Sequence, residues 1–314
     1  MSKEVNLLLT GPLYPLVMTT LSQTYTAHLP WQTAPIKEYL ATSHPEIRGV
    51  ASNGSHGPIG AAQFDQLPKL EIVANFGVGY DNVDVDEAKR RGIVVTNTPD
   101  VLTDEVADLT LGLLLATVRQ IPRAEQYLRA GSWAAKPFPL TATLRGRTVG
   151  IIGLGRIGKA IAARCTAFGL AIAYHGRSRQ PDVEYAYYPS AVELARAVEV
   201  LIMVAPGGAE TRHMIDAEVL AALGADGVFV NVARGSVVDE DALIDALRSK
   251  TILAAGLDVF ENEPRIREDF MTIENAVLLP HVGSASVHTR NAMGQLVIDN
   301  LASWFAGKGP LTPV

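Results

Sequence analysis

Cysteine is almost absent from this chain: Cys165 is the single one in 314 residues. An internal disulfide and a multi-cysteine zinc site are thereby excluded, and a reducing, cytoplasmic setting is expected. Cys165 lies in the run Ile-Gly-Lys-Ala-Ile-Ala-Ala-Arg-Cys-Thr-Ala-Phe-Gly and reads as a small apolar helix residue rather than a nucleophile. Positive charge is also scarce, with 27 Lys and Arg against 33 Asp and Glu and a formal charge of −6. No broad basic face is then available to neutralise phosphates, so no nucleic-acid partner is expected. Long apolar runs are missing too. The first, Leu7–Leu9, ends before Gly11 and Pro12, too short for a signal segment or a membrane span, and it reads as a first strand. His28, His44, His56, His175, His213 and His288 lack metal-ligand spacing, so no metal is expected.

What remains is 48% hydrophobic and 19% charged, enough apolar surface to offset ordering entropy, in a length that favours two domains. Runs rich in β-branched residues at Val5–Thr10, Ile47–Ser52, Glu71–Phe76 and Ile93–Thr96 predict a first parallel α/β domain, and Asn97-Thr98-Pro99-Asp100 breaks it. Val101–Val118 is apolar on nearly all sides and predicts a helix buried between layers, domains or subunits, followed by a polar helix ending near Gly131. A second series of strands is expected near Val149–Ile152, Leu170–Tyr174, Val200–Val204, Val228–Val232, Leu253–Leu257 and Val277–Leu279. The last helix carries Met293, Leu296, Val297, Leu301, Trp304 and Phe305 at helical spacing and stops at Gly307. Such a stripe needs a surface, so the chain is expected to return to its first domain. The expected division is 1–99 with 285–314, and 100–284 between them.

Within the second series, a strand runs into Gly153-Leu-Gly155-Arg-Ile-Gly158 and then a helix. Gly153 serves the tight turn, Gly155 the approach of a pyrophosphate and Gly158 the packing of helix on strand, which reads as a dinucleotide site. An acid at the end of the next strand would bind a ribose 2′-hydroxyl and repel a 2′-phosphate. None is there. Instead His175-Gly-Arg177-Ser178-Arg179 offers two guanidinium groups and a hydroxyl, so NADP is expected in preference to NAD.

Three more strands end in polar residues: Asn231-Val-Ala-Arg234-Gly, Asp258-Val-Phe-Glu261-Asn-Glu263-Pro, and Pro280-His281-Val-Gly-Ser. Together with Asn75-Phe-Gly77-Val78-Gly79-Tyr-Asp81-Asn-Val-Asp84 and the glycine loop, these make the chain resemble the D-isomer-specific 2-hydroxyacid dehydrogenase family, in particular its NADP-linked glyoxylate/hydroxypyruvate reductase branch. The likeness spans essentially the whole chain. It implies an α/β protein of two doubly wound parallel-sheet domains, a Rossmann cofactor domain inserted in a flavodoxin-like substrate domain, and NADPH-dependent reduction of a small 2-oxo acid.

Such chemistry needs a proton donor for the carbonyl oxygen and a cation for the carboxylate. The resemblance implies His281 as general acid, with Glu263 on its far nitrogen, and Arg234 as carboxylate clamp. It implies backbone donors around Val78 and Gly79, and Asn53-Gly54 lining the outer pocket. Beyond Gly153, Gly155 and Gly158, cofactor contacts are expected at Leu154, Arg156, Ile157, Ala205, Pro206, Ala233, Asp258, Gly283 and Thr103. A homodimer is implied as well, with an arm near residues 101–140 and Trp133 as packing or as a wall of a partner's pocket. Two further readings stay open: a reductase of aromatic 2-oxo acids such as hydroxyphenylpyruvate, and a dinucleotide-sensing protein similar to a transcriptional corepressor of this fold.

Overall fold

The computed structural model of the protein describes residues 4–314, which divide into two compact units. One is made of the described residues up to Leu102 together with Ser284–Val314, the other of Thr103–Gly283. The first crossing thus follows Leu102 rather than Pro99, because the next helix begins only at Thr103.

In the first unit, strands β1 (Asn6–Leu9), β2 (Thr26–His28), β3 (Ile47–Ser52), β4 (Ile72–Asn75) and β5 (Val94–Thr96) form one sheet in the order β2-β1-β3-β4-β5. Every pairing is parallel, and the order is that of flavodoxin-like sheets. Side chains alternate between faces. Leu8, Val50, Val73 and Val95 meet Phe64, Leu67 and Ala88 on one side. The closing helix, Val287–Phe305, buries Met293, Val297 and Leu301 within this same unit. Its Gly294 lets it approach the helix Pro15–Thr24, since a Cβ there would stand 2.9 Å from Val17. Trp304 finishes it by donating Nε1–H to Glu71 at 3.0 Å.

The second unit is a sheet of seven parallel strands among the described residues: β6 (Thr148–Ile152), β7 (Ala171–His175), β8 (Ala186–Tyr188), β9 (Val200–Met203), β10 (Val228–Asn231), β11 (Ala254–Leu257) and β12 (Ala276–Leu278). Their order, β12-β11-β10-β9-β6-β7-β8, is the doubly wound dinucleotide-binding order with a seventh strand added. The strands β9 and β10 are buried along their whole length, and Phe229, fully enclosed, contributes about 2–3 kcal/mol.

Two strands were not foreseen from the sequence, β2 and β8. Both are three-residue edge strands with no buried residue, so neither carries the continuous apolar run that marks a central parallel strand. The helix Thr103–Val118 starts two residues later than expected. It is not enclosed on all sides within its unit: Val106, Ala107, Leu113, Leu114 and Val118 are buried, whereas Asp104 and Asp108 are exposed and pair with Arg164 at 3.0 and 2.5 Å. It lies close on β11 because Gly256 has no side chain, and its buried Thr110 and Thr117 hydroxyls donate to the carbonyls one turn back. No helix of the described residues is long and apolar enough to cross a membrane.

Candidate active site

The polar ends of β10, β11 and β12 lie side by side because those strands are neighbours and parallel. After β10 the chain turns at Asn231, whose buried side chain accepts from the Ala233 N–H at 3.0 Å and donates to the Arg234 carbonyl at 2.9 Å. That bracket presents Arg234 at the strand end. Arg234 Nη1 donates to the Ala233 carbonyl at 2.7 Å.

After β11 comes Asp258, only 2% exposed. It holds three successive N–H groups beyond β12: its carbonyl accepts from His281 at 2.9 Å, and its carboxylate oxygens accept from Val282 at 2.7 Å and Gly283 at 2.8 Å. Burial pushes the Asp258 carboxyl up from its ordinary pKa, opposed by these two N–H donors and the nearby His281. His281 sits at φ +54°, a left-handed backbone that costs a non-glycine residue about 1–2 kcal/mol. The bonds to Asp258 keep the loop in that conformation, so strain and clamp occur together.

His281 Nδ1–H donates to Glu263 Oε2 at 2.6 Å, and Glu263 Oε1 accepts from the Phe260 N–H at 2.9 Å. Burial pushes the Glu263 carboxyl up, but the bonds from His281 and Phe260 and the charges of His281 and Arg234 outweigh it, leaving Glu263 below its usual range. Arg234, Glu263 and His281 therefore share one electrostatic neighbourhood, with the imidazole exposed at its edge.

The same sheet edge carries the glycine loop, between β6 and the helix Arg156–Ala167. Gly153 has φ +98°, and a Cβ there would stand 2.6 Å from the Ala205 nitrogen; a Cβ on Gly158 would stand 2.2 Å from the Gly153 carbonyl. The loop is thus folded on itself, while the space over Gly155 is open, as a phosphate cradle requires. Leu154 is buried, and its carbonyl accepts from Gln180 Nε2 at 2.8 Å. At the end of β7, His175 Nδ1–H donates to the Tyr188 carbonyl at 3.0 Å, and Arg177, Ser178 and Arg179 are exposed. Ala205 and Pro206 follow β9, and Thr103 opens its helix. Ala233 and Gly283 are buried, Gly283 against Asp258.

The remaining expected residues belong to the first unit, at the C-terminal ends of its adjacent strands β3 and β4. Asn53 and Gly54 follow β3. The Val78 carbonyl accepts from Asn97 Nδ2 and the Gly79 carbonyl from Asn75 Nδ2, each at 2.8 Å. With their carbonyls held this way, the amides of Val78 and Gly79 have no partner among the described residues.

Sequence reasoning missed the residues that hold this set in place: Asn231, Gly235, Glu240, Tyr174 and Gln180. Asn231 had a signal, a polar residue closing an apolar strand. Gly235 packs so tightly that a Cβ would overlap the Phe260 carbonyl carbon at 1.8 Å. Tyr174, fully buried, accepts the Gln180 N–H on its hydroxyl at 2.7 Å and so shapes the turn after β7.

A doubly wound parallel sheet with a phosphate-type glycine loop at its switch point and an imidazole–carboxylate pair on the same edge defines a dinucleotide-linked dehydrogenase. The family model described as D-isomer specific 2-hydroxyacid dehydrogenase, NAD binding domain, matches residues 111–283. The glyoxylate/hydroxypyruvate reductase A of Arabidopsis thaliana is 50% identical over 283 residues, 90% of either chain. The hydroxyphenylpyruvate reductase of Plectranthus scutellarioides is 48% identical over 284 residues, again 90% of each. The crystal structure of an NADPH-dependent glyoxylate/hydroxypyruvate reductase from Sinorhizobium meliloti, in complex with NADP and malonate, superposes with a TM-score of 0.93 at 50% identity, over 99% of this chain and 97% of that one. The chain belongs to the D-isomer-specific 2-hydroxyacid dehydrogenases.

Proposed function

We propose that this enzyme reduces small 2-oxo acids, glyoxylate and hydroxypyruvate foremost, to the corresponding 2-hydroxy acids, with NADPH in preference to NADH. The observation that carries this is the His281–Glu263 pair beside Arg234 at the C-terminal edge of β10, β11 and β12. When bound, the nicotinamide dinucleotide supplies the hydride. The residues to hold it are those of the Gly153–Gly158 loop, with the open space at Gly155 for the pyrophosphate. The exposed His175–Arg179 turn, which has no acid, would take the 2′-phosphate. Thr103, Ala205, Pro206, Ala233, Asp258 and Gly283 complete the cofactor contacts.

With Nδ1 engaged by Glu263, the ring has Nε2 left to carry a proton to the substrate carbonyl oxygen, or to take it back in the reverse direction. Glu263 fixes the tautomer and the ring plane. Arg234 clamps the carboxylate and polarises the carbonyl, a task suited to a fork of permanently charged donors. The free amides of Val78 and Gly79 are proposed as further carboxylate donors, and Asn53-Gly54 as the outer wall. The named activities of the Arabidopsis and Sinorhizobium relatives support the small acids and NADPH. The likeness to a hydroxyphenylpyruvate reductase makes the aromatic acids the competing reading.

We further propose a cytoplasmic homodimer. The helix Ile121–Arg129 has no buried residue, and Ile121, Leu128, Trp133 and Leu140 leave large apolar surface exposed along the arm, which a second copy would cover.

Initial rates on glyoxylate, hydroxypyruvate, pyruvate and phenylpyruvate, with NADPH and NADH, test the reading together with His281→Ala. The small acids with NADPH are expected to lead, and the variant to lose turnover while still binding NADPH. A lead for the aromatic acid overturns the substrate assignment, and undiminished turnover in the variant removes His281 from the mechanism.

A further inference from the structure

We propose that Glu240 is a positioning residue for the reaction, gripping the backbone of the turn that carries Glu263 and so setting Glu263 against His281. The inference rests on the proposed roles of those two residues. Glu240 is the first residue of the helix Glu240–Arg248, where an acid serves as an exposed partner of the helix dipole in most proteins. Here it is 6% exposed, and Val238, Leu243, Leu257, Val259 and Phe270 line the same interior beside Asn231 and Gly235. A carboxylate kept in such a place needs a partner. Asp239 already caps the helix, accepting from the Ala242 N–H at 3.1 Å, so capping does not account for Glu240.

Its partner is the turn. Glu240 Oε1 accepts the Glu261 N–H at 2.9 Å, and the preceding N–H, that of Phe260, donates to Glu263 Oε1 at 2.9 Å. Two acidic side chains thus take successive N–H groups of one stretch, one from within the core and one from the site. The Phe260–Glu261 peptide between them lies directly on Gly235, where a Cβ would be 2.1 Å from the Glu261 nitrogen. Gly235 follows Arg234. The turn that aims Glu263 and the loop that aims Arg234 are therefore pressed together, and Glu240 is the side chain that locks them. Burial pushes the Glu240 carboxyl up, opposed by the Glu261 N–H and by Arg267. That desolvation is borne for a bond whose only product is the geometry of the turn.

Glu240→Ala is expected to lower kcat about tenfold, with a smaller change in KM for the acid and with NADPH binding, read by fluorescence, kept. Its acid limb in the kcat–pH profile is expected to move up, because a loosened Glu263 returns toward an ordinary carboxylate. Glu240→Gln, whose amide oxygen still accepts the Glu261 N–H, is expected to recover most of the rate. In a Glu263→Gln background, Glu240→Ala is expected to add no further loss, since it acts through Glu263. Should Glu240→Ala fold poorly, Glu240→Leu fills the apolar site without an acceptor and carries the same comparison. Wild-type kcat and acid limb in these variants, losses that multiply with Glu263→Gln, or a Gln variant as impaired as Ala would each overturn the proposal. If His281→Ala keeps turnover, the underlying reading fails; if that variant is dead while Glu240→Ala is unaffected, only the role of Glu240 fails.

Discussion

Replacing Asp258 by asparagine is expected to disable the His281 loop with little loss of overall stability. The carbonyl bond to the His281 N–H survives the change, and one side-chain oxygen still accepts from Val282 or Gly283. The other oxygen becomes an NH2 facing an N–H. That removes one bond to a charged acceptor and strands a donor, about 2–3 kcal/mol at the loop. The left-handed backbone of His281, worth about 1–2 kcal/mol of strain, then favours relaxation of the loop. With a factor of ten for each 1.4 kcal/mol, kcat is expected to fall about 30- to 140-fold. Stability follows a different sum. The Asp258 carboxyl is raised by burial, so its charge form is disfavoured by folding at neutral pH, and asparagine removes that penalty. A thermal melt is therefore expected to shift by only a few degrees, about 2–4 °C. The assay is the initial rate of reduced-nicotinamide consumption with glyoxylate, at saturating and limiting NADPH, beside the melt. A variant whose kcat is kept while KM for NADPH rises would refute the clamp and leave Asp258 as a cofactor contact alone.

Arg177→Ala and Arg179→Ala are each expected to raise KM for NADPH about tenfold or more while that for NADH barely moves, the loss of a charge-assisted contact to a 2′-phosphate; equal effects on both cofactors would contradict it. Glu263 is held below the ordinary carboxylate range, burial notwithstanding, by His281, Phe260 and Arg234. Its stabilising contribution is complete above that ordinary range, about pH 4.3, and is lost as pH falls through the depressed value, so kcat is expected to hold through mildly acidic pH, and a limb at neutral pH that vanishes in Glu263→Gln would be inconsistent. Gly158→Ala places a Cβ 2.2 Å from the Gly153 carbonyl and is expected to abolish dinucleotide binding in a fluorescence titration, with undiminished affinity as the contrary result. Cys165 is fully buried and its thiol is pushed up to about 11 by burial; in native protein it is expected to resist a disulfide exchange reagent that labels it at once in denaturant, and rapid native labelling would show that the helix opens.

The central strands were legible because a parallel strand buried on both faces must be a continuous run of branched apolar residues, as in Val200–Met203 and Val228–Asn231. The edge strands Thr26–His28 and Ala186–Tyr188 owe their form to a neighbour rather than to their own composition, and composition could not announce them. The site divides in the same way. Arg234, Glu263 and His281 are reactive residues at strand ends and declare themselves by type and place. Asp258, Asn231 and Glu240 act on backbone N–H groups and carbonyls of other segments, and no residue pattern states which N–H a carboxylate will hold. The left-handed turn at His281 was hidden too, because histidine is enriched in that region yet adopts it at only a small fraction of its positions.

The return of Val287–Phe305 to the first unit has a consequence for how the chain comes to be folded. The unit Thr103–Gly283 is one uninterrupted stretch and can close its core as soon as it has emerged from the ribosome. The earlier-made strands cannot, because the helix bearing Met293, Val297 and Leu301 is synthesised only after that unit. Nascent β1, β3 and β4 must wait, one face uncovered, through the synthesis of an entire neighbour. A released chain that stops at Gly283 should therefore hold a finished nucleotide fold attached to an unfinished one, and it is the unfinished one that chaperones would engage.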